Sequence, residues 1–164
     1  ALDMTRTFSC VDMCSCDSSE GSLLVPNAPR GSEHEDLCDW TCAKCNKTNS
    51  ADASPIASKL DGENVLVERL QQVQRDLDSE IVNADADSLR KMKEHTTCIK
   101  EALSQALSIC GPRHWISANV ARYLCIALFK MPPEEHDADE ACRALELFAV
   151  FAKESCPGLE WHCG

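Results

Sequence analysis

Basic residues are scarce in this sequence. The chain of 164 residues has 16 Lys and Arg residues against 27 Asp and Glu residues, which gives a formal net charge of -11 at pH 7. This balance leaves no basic surface to offset phosphate charge, so we expect no binding to nucleic acid or to anionic lipid. A basic partner, such as a lysine-rich or histone-like peptide, fits the charge better.

Long apolar runs are also missing. No stretch of about 18 apolar residues occurs, and no charged and then apolar leader precedes a cleavage site. We therefore expect neither a membrane span nor an uncleaved signal peptide. The hydrophobic content of 44% suits one ordinary core, or a small module joined to a helical domain.

The sequence lacks the short motifs of several enzyme classes. It contains no Gly-rich phosphate loop, no Gly-x-Ser-x-Gly elbow and no His-Glu-x-x-His motif. His114 beside Trp115 at a helix start favours a structural role over a catalytic one. The acidic run 134–140 contains His136 next to Asp137, but a charged run between two helices is usually a solvated loop. We predict no complete catalytic site in this chain.

The chain changes character near residue 55. Residues 1–55 hold six cysteines and show little sustained apolar periodicity, which predicts a loop-rich module. Residues 56–164 carry apolar residues at three- and four-residue steps, which is typical of amphipathic helices. We predict a mainly α fold in which the loop-rich segment 1–55 precedes a domain of antiparallel helical hairpins over 56–164.

Two helices are predicted between residues 56 and 110. The inward face of the first comprises Leu66, Leu70, Val73, Leu77 and Ile81. The inward face of the second comprises Met92, Thr96, Ile99, Leu103, Ala106 and Cys110. Either Asp85 or Asp87 is suited to cap the start of the second helix, and Gly111 followed by Pro112 marks its end.

Two more helices are predicted after Pro112. One runs from about Arg113 to Lys130 and ends before the prolines that follow Met131. Its inward face comprises Ile116, Val120, Leu124, Ala127 and Leu128. The other helix follows the acidic run and ends before Pro157. Its inward face comprises Ala141, Leu145, Phe148 and Ala152.

The 12 cysteines allow two interpretations. A secreted protein would use them as disulfides, whereas an intracellular one would use some as metal ligands and keep the rest as buried thiols. The even count and the sequon Asn46-Lys47-Thr48 favour secretion. The secreted alternative is a disulfide-rich helical binding protein for a small hydrophobic ligand or a receptor.

Cysteine spacing in the first segment favours a zinc site. The motif from Trp40 to Cys45 separates the Cys42 and Cys45 thiolates by two intervening residues, a spacing typical of half of a tetrahedral zinc site. Cys14 and Cys16 offer the other half. A zinc site would supply the folding free energy that a segment with few apolar residues lacks. We predict that these four cysteines bind zinc.

The ligand set has alternatives. The one-residue spacing between Cys14 and Cys16 is less common in zinc knuckles than a spacing of two. Cys10, Cys38 and His34 are therefore substitute ligands. The six cysteines of this segment would instead form three disulfides if the protein is secreted.

Several motifs follow one another in a recognisable order. Cys14 and Cys16 come first, then the turn Gly21-Ser22-Leu23-Leu24-Val25-Pro26, and then the motif Trp40-Thr41-Cys42-Ala43-Lys44-Cys45. Gly111-Pro112-Arg113-His114-Trp115-Ile116 and Pro157-Gly158-Leu159 follow. In this order the chain resembles the C-terminal part of the SET-and-MYND lysine methyltransferases, particularly the arthropod-type members. The resemblance covers almost the whole chain.

The resemblance implies a zinc-bearing segment beside an active-site cleft, and a helical lobe of the tetratricopeptide type that contacts substrates or partner proteins. Methyl transfer in that family depends on a SET domain that binds S-adenosylmethionine, with an Asn-His-x-Cys segment and a catalytic tyrosine. None of those motifs stands in this sequence, so no catalytic or cofactor-binding residue is carried over. We expect an intracellular, non-catalytic region that binds zinc and a protein or basic peptide, in the cytoplasm or nucleus.

Overall fold

A computed structural model describes residues 6–9, 23–28, 38–79, 86–135 and 137–155. In this part of the chain, four short strands come first and four α-helices follow. The mainly α fold predicted from the sequence is thereby confirmed.

The four strands form one antiparallel sheet in chain order. Strand β1 is Phe8–Ser9, β2 is Leu23–Pro26, β3 is Trp40–Cys42 and β4 is Thr48–Asn49. The sequence predicted only a loop-rich module here. Strands of two to four residues escape detection because they are too short to show an alternating pattern.

The sheet has two distinct ends. Strand β1 finishes at Ser9 and β2 begins at Leu23, on the same side as the turn that joins β3 to β4. We name this side the turn end. The opposite end carries Pro26, Trp40 and Asn49, which are paired across β2, β3 and β4.

The helices begin and end close to the predicted positions. Helix α1 is Ser54–Ser79, α2 is Ala86–Ile109, α3 is Trp115–Lys130 and α4 is Ala138–Ser155, with a 3-10 turn at Pro133–Glu135. Gly111 takes a φ of 93° after α2, and its N–H donates to the Ala106 carbonyl. This left-handed residue ends the helix where the sequence predicted. The carboxylate of Asp137 accepts from the Glu140 N–H at 3.0 Å and caps α4.

The first three helices alternate in direction. The Lys59 Nζ donates to the Ile109 carbonyl, so the start of α1 lies against the end of α2. The two helices approach closely there, since a Cβ atom on Gly62 would lie 2.8 Å from Cγ2 of Ile109. The Lys130 Nζ donates to the Leu77 carbonyl, which places the ends of α1 and α3 together. Helices α1 and α2 are therefore antiparallel, and α3 runs parallel to α1.

One hydrophobic core joins the sheet to the helices. Phe8, Leu24 and Trp40 from the sheet are fully buried and belong to the same cluster as the apolar faces of α1, α2 and α3. The predicted inward residues of these helices are buried where they are described, except that Leu103 is half-buried. Ile81 lies outside the described residues.

The inward face of α4 differs from the prediction. Ala141 and Ala152 are buried as predicted and Phe148 is half-buried, but Leu145 is 44% exposed. Ala144 is buried instead. Periodicity alone could not show which of Ala144 and Leu145 is buried, because both positions are compatible with the same apolar stripe. The smaller side chain occupies the buried position.

Candidate functional site

The Cys42–Cys45 motif forms the turn between β3 and β4. The Cys42 N–H donates to the Lys47 carbonyl at 2.9 Å, and the Asn46 N–H donates to the Cys42 carbonyl at 2.9 Å. Asn46 has a φ of 57°, a left-handed conformation that asparagine tolerates well. Cys42 is buried at the end of β3, and Cys45 is exposed in the turn. The two cysteines of the motif thus differ in exposure although one turn connects them.

Four other predicted ligands lie outside the described residues, namely Cys10, Cys14, Cys16 and His34. Within the described ranges, no group of three or more His, Cys, Asp and Glu residues is arranged to hold a metal ion. The zinc site therefore stays a prediction.

Cys38 lies away from the turn end. It precedes β3, and the backbone of Asn27 and Ala28 hydrogen-bonds to its thiol. The structure does not place Cys38 in the Cys42–Cys45 turn, and its role as a substitute ligand stays a prediction.

The acidic run before α4 faces the solvent. Glu134, Glu135, Asp137 and Asp139 are all exposed, as a solvated loop predicts, and His136 lies outside the described residues. The Lys93 ammonium contacts the Glu135 carboxylate at 2.8 Å and ties the run to α2.

His114 occupies a structural position. It is completely buried and precedes α3, where its Nδ1 accepts from the Ile116 N–H at 3.2 Å. Its Nε2 lies 3.3 Å from Oε1 of Glu63 in α1. The imidazole thus caps α3 and fixes it against α1, in agreement with the structural role predicted from the sequence.

Glu63 connects the helices to the strand side of the molecule. The Arg6 guanidinium donates from Nε to both carboxylate oxygens, at 2.9 and 3.0 Å, and from Nη2 at 2.6 Å. Arg6 stands just before β1, and its guanidinium also lies 5.8 Å from the ring centre of Trp40. Arg6, Glu63 and His114 form what we name the junction cluster.

Aromatic rings pack around the junction cluster. Phe8 stacks on His114 at a centroid distance of 5.2 Å and contacts Trp40 at 4.9 Å. The Thr7 hydroxyl donates to the Arg113 carbonyl at 3.2 Å. Residues 6–8 therefore fasten the sheet to the start of α3 by charge, hydrogen bonding and ring packing together.

Two titratable groups in this region have displaced pKa values. Burial favours a raised pKa for Glu63, but hydrogen bonds from His114 and Arg6, together with the positive charge of Arg6, outweigh burial and lower the pKa. Glu63 is therefore ionised at neutral pH. Burial, with a contribution from the Glu63 charge, raises the pKa of Cys110 to about 12. Cys110 consequently stays a protonated thiol.

Sequence reasoning missed Arg6 and Glu63. Glu63 carried a usable signal, because it lies three residues before Leu66 and thus extends the inward stripe of α1. A carboxylate on an inward face requires a buried partner. Arg6 offered no comparable signal, because its neighbours in the sequence do not indicate which distant helix its side chain contacts.

The described helical cysteines are free thiols. Cys110 and Cys125 are buried, and Cys98 and Cys142 are exposed. The disulfide alternative predicted that such cysteines would join the helices, and these four do not do so in the structure. Cys156 and Cys163 lie outside the described residues.

Large apolar side chains reach the solvent on α3 and α4. Phe129 is 61% exposed and Ile126 is 38% exposed on α3, and Leu145 and Val150 are exposed on α4. Helix α3 contains no acidic residue, although the chain as a whole is strongly acidic. The charged residues of α3 are therefore the basic Arg122 and Lys130.

Comparisons with known proteins supply no family. No protein-family model, no curated protein and no solved structure matches this chain. Among the described residues, no helix is long and apolar enough to cross a membrane.

Proposed function

We propose that this chain is a non-catalytic zinc-binding and protein-interaction region, of the kind found in the C-terminal part of SET-and-MYND lysine methyltransferases. One observation carries the zinc part. The Cys42–Cys45 turn lies at the turn end of the sheet, where β1 stops and β2 starts. The connection between those strands is residues 10–22, which contain Cys14 and Cys16. Both cysteine pairs thus belong to connections that leave one end of one sheet.

A structural role for zinc fits the sheet. Strands of two to four residues bury little apolar area by themselves. Bound zinc would supply folding free energy through four thiolates and leave no open position for a substrate. Cys42 and Cys45 would hold the ion on one side, with Cys14 and Cys16 on the other.

Zinc content tests this part of the proposal. We expect the wild-type chain to hold about one zinc ion, and Cys45→Ser to lose most of it, because a structural site uses four ligands. Cys98→Ser is the matched control, since Cys98 is also exposed but lies in α2. Elemental analysis of the purified proteins measures the metal. Equal zinc content in Cys45→Ser and wild type would refute the assignment.

Two surface features support protein recognition. Ile126 and Phe129 expose apolar area on α3, and such area is common at sites of protein contact. Glu134 and Glu135 are exposed carboxylates in the 3-10 turn that follows α3, and Glu135 contacts Lys93. The partner that fits both features is a lysine-rich peptide with apolar residues between the lysines.

Titration with a synthetic lysine-rich peptide tests the recognition part. We expect binding that weakens as salt is added, and weakens further in Phe129→Ser. Val65→Ser is the matched control because Val65 is 65% exposed on α1. Fluorescence anisotropy measures the affinity. Loss of the same size in both variants, or no binding at all, would contradict the proposal.

A further inference from the structure

Cys125 and Cys142 lie on two helices that pack against each other. The Cys125 thiol donates to the carbonyl of Ala141 at 3.7 Å, and Cys142 is the next residue in α4. Ala141 and Ala144 line the buried face of α4. Such small side chains let two helices approach closely, and the Cys125 thiol contacts the backbone of α4 at the residue directly before Cys142.

The two thiols differ in environment. Cys142 is exposed, so dissolved oxidants reach it directly, whereas Cys125 is buried. Burial, and then the charge of the nearby Cys142, raise the pKa of Cys125. Three described cysteines have a raised pKa, and only for Cys125 does the charge of another cysteine contribute to that rise. Cys142 is thus placed to be oxidised first, with Cys125 beside it as the second thiol.

We propose that Cys125 and Cys142 are an oxidant-responsive dithiol that forms a disulfide between α3 and α4 in the presence of peroxide. The Cys142 thiolate attacks hydrogen peroxide; an S–O bond forms, the O–O bond breaks, and hydroxide leaves and is protonated to water. The sulfur of Cys125 then attacks the sulfenic acid; an S–S bond forms, the S–O bond breaks, and the proton of Cys125 leaves with the hydroxide as a second water. Two thiols lose two electrons in total, and one peroxide becomes two waters.

The disulfide would change the helical domain in a defined way. Helices α3 and α4 are joined by the acidic run, and a covalent bond between them restricts the unfolded chain. The oxidised protein is therefore expected to melt at a higher Tm than the reduced protein. The exposed apolar residues of α3 and α4 would then be held in one arrangement, so oxidation sets the geometry of this surface.

Peptide mapping of the full chain tests the proposal. The reduced protein is treated with hydrogen peroxide, denatured, alkylated and cut with trypsin, which cleaves after Arg122, Lys130 and Arg143. We expect peptide 123–130 linked to peptide 131–143, with a mass that returns to the two separate peptides on reduction. The linked pair should vanish in Cys142→Ser and persist in Cys98→Ser.

The wild-type result alone can overturn the proposal. It fails if Cys142 is oxidised to sulfinic acid or joins another cysteine while Cys125 remains open to alkylation. It also fails if the linked pair appears only between two chains, which a dilution series and mixing with isotope-labelled protein would reveal. This outcome is independent of zinc, because the two peptides contain none of the proposed ligands.

Discussion

Nε2 of His114 lies 3.3 Å from Oε1 of Glu63, and both residues are buried. Glu63 belongs to α1 and His114 caps α3, so one carboxylate fixes the two parallel helices. Arg6, which precedes β1, donates two hydrogen bonds to the same carboxylate and so connects the sheet to these helices. The junction cluster therefore determines how the sheet sits against the helices, and this arrangement makes several predictions.

Removing the charge of Glu63 should destabilise the protein strongly. Glu63→Gln leaves the half-buried Arg6 guanidinium without a carboxylate, and breaking a pair whose carboxylate is buried costs about 3 kcal/mol. Urea denaturation measures the free energy of unfolding. Glu68→Gln, on the exposed side of α1, should change it by less than about 0.5 kcal/mol. Equal stability of the two variants would show that the cluster contributes little.

Stability should fall in acid through the same carboxylate. The pKa of Glu63 is lower in the folded protein than in the unfolded chain, where it is about 4.3. Its contribution is therefore complete above the unfolded pKa and is lost as the pH falls through the folded pKa. The difference in stability between wild type and Glu63→Gln should shrink below about pH 4. Thiolate ligands would be protonated equally in both proteins, so this difference isolates Glu63. A constant difference down to pH 2 would contradict the account.

Cys110 should resist alkylation in the native protein. The residue is 1% exposed, and the pKa of its thiol is raised to about 12, so neither access nor ionisation favours reaction. Cys98 is exposed and should react with iodoacetamide at pH 8 within minutes. Mass spectrometry of tryptic peptides after timed labelling distinguishes the two sites. Labelling of Cys110 at the rate of Cys98 would mean that the end of α2 opens readily.

The observed burial on α4 predicts different effects for substitutions at two neighbouring positions. Ala144→Leu should destabilise by about 1–3 kcal/mol, because it adds volume at a position that is buried in the core. Leu145→Ala should cost less than about 1 kcal/mol, since the Leu145 side chain is 44% exposed. Thermal unfolding followed by circular dichroism gives both values. The reverse ranking would restore the inward face that the sequence predicted.

Helices were predictable from the sequence, whereas the sheet was not. Proline and glycine mark the ends of α2 and α3 without reference to distant residues, and the inward stripes of α1 to α3 recur at regular steps. The strands depend on pairings such as Phe8 with Leu24 and Leu24 with Cys42. These pairings are non-local, and no strand is long enough to display its own pattern.

The residues of the candidate site also differ in how far the sequence could predict them. Cys42 and Cys45 are close in the sequence, and local backbone hydrogen bonds to Asn46 and Lys47 form the turn that carries them. The junction cluster joins Arg6, Glu63 and His114, which are far apart in the chain, so only the folded arrangement reveals it. Leu145 lies between these two cases. The sequence predicts that one side of α4 is buried, but only the packing of the neighbouring helix shows that Ala144, and not Leu145, is the buried residue.

The most direct test of the central claim is the mass of the purified chain under native conditions, compared with its mass after denaturation without reductant. The account predicts that denaturation removes the mass of one zinc ion and leaves Cys14, Cys16, Cys42 and Cys45 open to alkylation. Identical metal-free masses, lowered by two protons for each cysteine pair and resistant to alkylation, would contradict the zinc assignment and favour a disulfide-bonded module.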